Sequence, residues 1–174
     1  MVAVLEKIES VRLIDISAGG GDCFLESYGC MRDVVFPVNY EFISGNIYGV
    51  IGEFGNGGWA LSTLLAGINK WEDYGSILIN GKKIKNNEMK KYSCYVGTDS
   101  GMKKILGFLP MTVKEQIIHG IKKGLSYDND IEQIRKKISL SNECFNHHMK
   151  YVSGERWKAS MAIGYAMGKS IYCF

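Results

Sequence analysis

The chain has 174 residues, 46% of them hydrophobic and 22% charged, which fits an ordinary folded protein with a real core and excludes a disordered or low-complexity one. A net charge of +3 is too mild to call for a nucleic-acid partner, and no apolar run is long enough to span a bilayer. Five cysteines (Cys23, Cys30, Cys94, Cys144, Cys173) without a C-x-x-C pair read as free thiols rather than a disulfide framework or a metal site.

The N-terminal part, Val2–Ile16, alternates loosely between apolar and polar residues and predicts a strand around Val11, Leu13, Ile14 and Ile16. Ala18–Asp22 reads as a turn, and Cys23–Tyr28 and Val34–Ile43 as further strands. Pro37 cannot donate to a ladder, so it marks Val34–Ile43 as an edge strand or a bulged one. Ser44-Gly45-Asn46 turns the chain into an apolar run, Ile47–Ile51, expected to be a short buried strand.

Gly52–Gly67, G-E-F-G-N-G-G-W-A-L-S-T-L-L-A-G, follows that run. Strand, glycine-rich turn and helix is the build of a phosphate-binding loop, in which successive backbone N–H groups and a helix N-terminus converge on phosphate oxygens. Gly52 and Gly57 hold the two glycine positions of G-x-x-x-x-G-K-[ST]. The lysine position is Gly58 and the hydroxyl position Trp59, so the frame lacks its mobile cation and its metal-ligating oxygen. An ordinary glycine-rich turn is the plainer reading of these residues taken alone.

Ser76–Asn80 predicts a short strand that turns at Asn80-Gly81, Lys82–Met89 is polar, and Tyr92–Val96 predicts another strand before Gly97-Thr98-Asp99. Thr112 and Glu115 form a capping box ahead of a helix whose apolar face is Val113, Ile117, Ile118 and Ile121. Asp128–Leu140 predicts a second amphipathic helix with Ile131, Ile134 and Ile138 on one face. Cys144, His147 and His148 have a spacing that suits a metal but no evident fourth ligand, so a surface loop is the better reading. The third helix, about Gly154 to Met167 with Ser153 as N-cap, carries small residues (Ala159, Ser160, Ala162, Gly164, Ala166) that let neighbours approach. Lysine groups such as Lys82, Lys83 and Lys85 fit solvated surface, and no aromatic-interleaved basic patch points to nucleic acid. Ile171–Phe174 predicts a final buried strand.

In this order the features resemble the nucleotide-binding domain of ATP-binding-cassette (ABC) transporters, from roughly Tyr28 to Phe174. Ser44–Gly67 is similar, without gaps, to the family stretch G-x-I-x-G-x-x-G-x-N-G-x-G-K-[ST]-T-L-L-x-x-L-x-G. Gly75–Lys83 is similar to its G-x-I-x-x-[DN]-G strand and turn, and Thr112–Ile117 to the helix start after its glutamine loop. Tyr151–Lys158, Y-V-S-G-E-R-W-K, is similar to its signature L-S-G-G-[QE]-R-Q-R, and Ile171–Phe174 to the residues before its Walker B aspartate.

The resemblance implies an α/β, P-loop NTPase-like fold of the ABC type, with an antiparallel N-terminal β region and a helical subdomain at about 98–151. The whole of 1–174 is expected to form one ATP-binding domain, cut off before the Walker B aspartate. The implied nucleotide-binding positions are Gly52, Gly55, Asn56, Gly57, Gly58, Trp59 and Ala60, with Tyr28 as a candidate for stacking on adenine and Thr98 in the glutamine-loop place. Ser153, Gly154 and Glu155 are the implied signature residues, with one glycine where the family has two. ATP and magnesium are the implied ligands, which the missing lysine and hydroxyl weaken, and restoring both is expected to raise affinity.

The function implied is that of an ABC-type ATP-binding subunit with a degenerate site, non-hydrolysing or weakly binding ATP. Its implied partners are a transmembrane permease subunit and a second ABC ATPase domain, in a homo- or heterodimer, and its implied place is the cytoplasmic face of the membrane. The alternative is a regulatory or scaffold protein that keeps the fold for protein contacts. An apolar strand at the end of the chain raises the expectation either of a longer natural protein or of an oligomer that covers it.

Overall fold

The computed structural model describes residues 7–19, 23–25, 29–31, 33–53, 55–70, 75–96, 104–105, 109–123, 125–152 and 154–174. Two compact units divide the described chain: Lys7–Ser93 with Cys173, and Cys94–Tyr172 with Phe174.

The first unit is built on an antiparallel sheet. Strand β1 (Ser10–Gly19) is followed by a small hairpin of β2 (Cys23–Leu25) and β3 (Gly29–Met31), then by β4 (Val34–Ile43), helix α1 (Gly58–Leu65), β5 (Ser76–Ile79), β6 (Lys82–Ile84) and helix α2 (Met89–Tyr92). The main sheet has the order β4-β1-β5-β6. Strand β4 is therefore an edge, the place where Pro37 is tolerated. Val11, Leu13, Ile16 and Ala18 of β1 are all buried although the first pair falls on odd numbers and the second on even ones. A register shift between Leu13 and Ile16, with Asp15 at φ 48, lets both pairs face the core. Asn39 closes this bulge by accepting from the Asp15 N–H at 3.0 Å and donating to the Asp15 carboxylate at 2.8 Å. Strand β1 runs on through Ala18, which pairs with Val35, so the turn expected at Ala18–Asp22 does not begin there.

Asn80 and Gly81 both have positive φ, 50° and 77°, as a two-residue turn that follows the strand twist requires. The turn joins β5 to β6, a strand that the polar run Lys82–Met89 did not announce. Asn80 also accepts from the N–H groups of Glu9 and Ser10 and donates to the Lys7 carbonyl, tying the hairpin to the start of β1. Helix α1 packs on β1 and β4, and its buried residues are Ala60, Leu61, Thr63 and Leu64.

The expected strand at Ile47–Ile51 does not form: residues 46–53 have no strand pairing, and Ile47 and Ile51 are fully exposed. Apolar character suits a buried strand but does not supply a neighbour, and among the described residues no strand pairs with these backbone groups.

The second unit begins at Cys94, within β7 (Ser93–Tyr95), which is followed by a short pair β8 (Lys104–Ile105) and β9 (Leu109–Pro110). Four helices come next: α3 (Val113–Lys122), α4 (Ile131–Lys137), α5 (Asn142–Asn146) and α6 (Arg156–Ala166), with a 3₁₀ turn at Met149–Tyr151. Strand β10 (Ile171–Cys173) pairs with β7. The final strand thus forms at Ile171–Cys173 and is less buried than expected: Ile171 and Tyr172 are half-buried, and Phe174, beyond the strand, is 67% exposed.

The Thr112–Glu115 capping box is present in full: the Glu115 N–H donates to Thr112 Oγ1 at 3.2 Å, and the Thr112 N–H donates to Glu115 Oε2 at 2.7 Å. Asp130 caps α4 through the N–H groups of Glu132 and Gln133, and Ser139, at φ 53, ends that helical stretch before Leu140. Ser141 caps α5, a helix too short and polar to show periodicity. Val113, Ile117, Ile134, Leu140, Phe145, Met149, Val152, Ala159, Ala162 and Ala166 form a core cluster within this unit.

Helix α6 begins at Arg156, after Glu155 as N-cap, two residues later than expected from Gly154. Its small residues permit close packing. A Cβ on Gly120 of α3 would lie 2.3 Å from the Ala166 carbonyl oxygen, and one on Gly164 would lie 2.9 Å from Cys94 Sγ.

Candidate functional site

The glycine-rich loop leads into α1, so the turn and helix of the strand–turn–helix reading are present and the strand expected before them is not. Gly55 and Gly57 have φ of 84° and 88°, conformations open to glycine and strained for other residues. The Asn56 N–H donates to the Glu53 carbonyl at 3.1 Å, which folds the loop back on itself. Gly57 is the N-cap of α1. A Cβ there would lie 2.7 Å from the Val34 carbonyl and 2.9 Å from Val35 Cα, so the loop rests directly on the first residues of β4. The Val34 N–H reaches the Gly55 carbonyl at 3.4 Å along the same line.

Glycine at the N-cap has no side chain to satisfy the first-turn N–H groups, and α1 has no acidic residue in its first turn. The acceptor comes from elsewhere. Asp33, 5% exposed, lies immediately before β4. Its Oδ1 accepts from the Gly57 N–H at 2.7 Å and its Oδ2 from the Ala60 N–H at 2.7 Å. A carboxylate thus spans the opening of the helix, aligned with the positive end of its dipole. Sequence reasoning missed Asp33. Its one local signal is an acidic residue directly before an apolar strand, and the contact joins positions 24 and 27 residues apart.

The structure brings Gly55, Asn56, Gly57, Gly58, Trp59 and Ala60 together as one loop and helix start, with Gly52 just before it. At Gly58, the position expected to hold a lysine, nothing among the described residues lies within 4 Å of where a Cβ would stand. Trp59 is 37% exposed, and its carbonyl accepts from Thr63 Oγ1 at 2.9 Å. The described residues at the positions expected to bind nucleotide therefore present backbone N–H groups and no side-chain ammonium, hydroxyl or carboxylate.

Gly154 is exposed, with nothing within 4 Å of a Cβ position. Glu155 is bound inside the helical unit: its Oε2 accepts from the Ser141 N–H at 3.0 Å and its Oε1 from Lys158 Nζ at 3.0 Å. Hydrogen bonding from Ser141, then from Lys158, holds its pKa down to about 2. Tyr28, Thr98 and Ser153 lie outside the described residues. Cys144 lies in the middle of α5 and not in the expected surface loop, His147 is the helix's C-cap, and among the described residues no three His, Cys, Asp or Glu side chains are placed to hold a metal. No helix among the described residues is long and apolar enough to cross a membrane.

No protein-family model matches the chain, and no curated protein matches it. Solved structures do. It is similar to the dimeric structure of MJ0796, a bacterial ABC transporter cassette, with a TM-score of 0.60 and 15% identity over 93% of this chain and 72% of that one. It is also similar to cbiO1 from Clostridium perfringens, part of the ABC transporter complex cbiONQ (TM-score 0.61, 13% identity, 95% of this chain and 64% of that one). A bacterial Atm1-family ABC exporter with ATP bound matches 98% of this chain at a TM-score of 0.59 and 16% identity, and the chain spans 30% of that protein. At these identities the likeness is one of fold.

Proposed function

We propose, from the premise that the chain has the fold of an ABC transporter ATP-binding cassette, that it is a cassette subunit whose own nucleotide site does no hydrolysis. The observation that carries the reading is the start of α1. Phosphoryl transfer depends on stabilising charge at the phosphates and on a magnesium ion held beside them. Gly58 supplies no cation, Trp59 no oxygen ligand, and the N–H groups of Gly57 and Ala60 already bind a carboxylate.

Such a subunit binds ATP weakly or not at all and contributes to transport through its contacts. Its partners are a transmembrane permease subunit and a second ABC ATPase domain, whose nucleotide the Ser153–Gly154 segment would face. It sits at the cytoplasmic face of the membrane through the permease.

The test is ATP titration and turnover of the pure protein, with and without magnesium. Turnover should equal the buffer control. A magnesium-dependent rate that persists through further purification overturns the reading.

A further inference from the structure

We infer that Asp33 is a built-in substitute for phosphate: its carboxylate fills the anion place of the glycine loop and keeps this cassette's α1 permanently anion-loaded without nucleotide. The inference rests on the reading of Gly52–Ala60 as the loop that would otherwise hold phosphate.

Three observations converge. The loop keeps its glycine geometry, with positive φ at Gly55 and Gly57, although the residues that give such loops their chemistry are gone. The acceptor is a buried carboxylate whose two oxygens divide between two N–H groups at 2.7 Å each, the short distance of charge-assisted bonds. It is held from outside the helix by β4, whose first residues pair with β1 as Ala18↔Val35 and Gly19↔Val34 and contact Gly57. A phosphate oxygen presents the same chemistry as that carboxylate: negative charge and lone pairs directed at backbone N–H groups at a helix start. The two cannot occupy the Gly57 and Ala60 N–H groups together, and a free anion competes against one that is covalently part of the chain.

Chemical rescue tests this. Asp33→Ala vacates the place, and inorganic phosphate is the probe, with sodium chloride at equal ionic strength as control. Phosphate at roughly tenfold its dissociation constant should raise the variant's melting temperature by about 3–6 °C and leave the wild type unmoved. Ser93→Ala, which removes a buried hydrogen bond to the Met89 carbonyl, controls for general destabilisation and should show no rescue. A phosphate response in Asp33→Ala no larger than in wild type or Ser93→Ala overturns the inference.

A second measurement uses the wild type alone and stands if the variant does not fold. Pyrophosphate should leave the Gly57 and Ala60 amide resonances in place, and a saturable shift of both overturns the inference. ATP turnover by the wild type with those amides unmoved would sink the proposed function and leave the role of Asp33 intact.

Discussion

Glu155 shows how a side chain expected to belong to a signature loop is tied into its own unit by local hydrogen bonds. Its pKa in the fold is about 2 against an ordinary 4.5. A carboxylate with a lowered folded pKa stabilises above its unfolded value, and the contribution is lost as pH falls through the folded one. The stability gap between wild type and Glu155→Gln is therefore expected to be full near neutral pH and to close between about 4.5 and about 2. Denaturant midpoints across that range check it, and a gap independent of pH would show that the charge is not what Ser141 and Lys158 hold. At this scale the sequence was legible wherever partners are neighbours in the chain. The Thr112–Glu115 box and the positive-φ glycines of the loop follow from local backbone needs. Asp33 was not legible, because its two hydrogen bonds come from residues far along the chain and its one local signal, an acidic residue directly before an apolar strand, does not say which N–H groups it meets.

Helices α3 and α6 meet at backbone distance. Gly120→Ala would drive a methyl into the Ala166 carbonyl, where the gap is 2.3 Å, and is expected to destabilise by about 1–3 kcal/mol as an overpacked contact. Gly58→Ala, with open space at its Cβ position, should be near neutral. Equilibrium unfolding of the two variants side by side checks the contrast, and equal effects would mean that helix propensity, not the contact, decides. Helical periodicity made α3 legible, and Pro37 made the edge position of β4 legible. The run Ile47–Ile51 was misread because side-chain character tells what a residue tolerates and not which strand is present to pair with it. Strand β6 was missed for the opposite reason: two lysines precede its one buried residue, Ile84, and the pairing with β5 is set by the Asn80-Gly81 turn.

For the molecule as a whole, the spacing of glycines across Gly45–Gly67 and the order of the later segments carried the fold, which the likeness to ABC cassettes supports. What the order of segments does not carry is occupancy of the site. Restoring the lysine and hydroxyl by Gly58→Lys with Trp59→Ser was expected from sequence to raise nucleotide affinity. With Asp33 in place, the added lysine gains an internal carboxylate as partner. The gain is therefore expected chiefly when Asp33→Ala is combined with the double change. Isothermal titration with ATP and magnesium, run on the double and the triple variant, separates the two expectations. A double variant that binds as tightly as the triple would show that the carboxylate does not stand in the way.

The turn at Asn80-Gly81 has a consequence for how the protein ages. An asparagine followed by glycine loses its side-chain amide when the next backbone nitrogen attacks the side-chain carbonyl carbon, a reaction that needs a flexible backbone. Here the amide is held on both sides, accepting from Glu9 and Ser10 and donating to Lys7, while the turn fixes the φ of both residues. Deamidation at Asn80 should be slow in the folded chain and fast once the hairpin lets go of β1. Isotope-resolved mass spectrometry of stored protein, with and without a subdenaturing dose of urea, reads the difference. The fraction converted then serves as a chemical clock for openings of the β1–β5 pairing, and equal rates in both conditions would show that the native hydrogen bonds give Asn80 no protection.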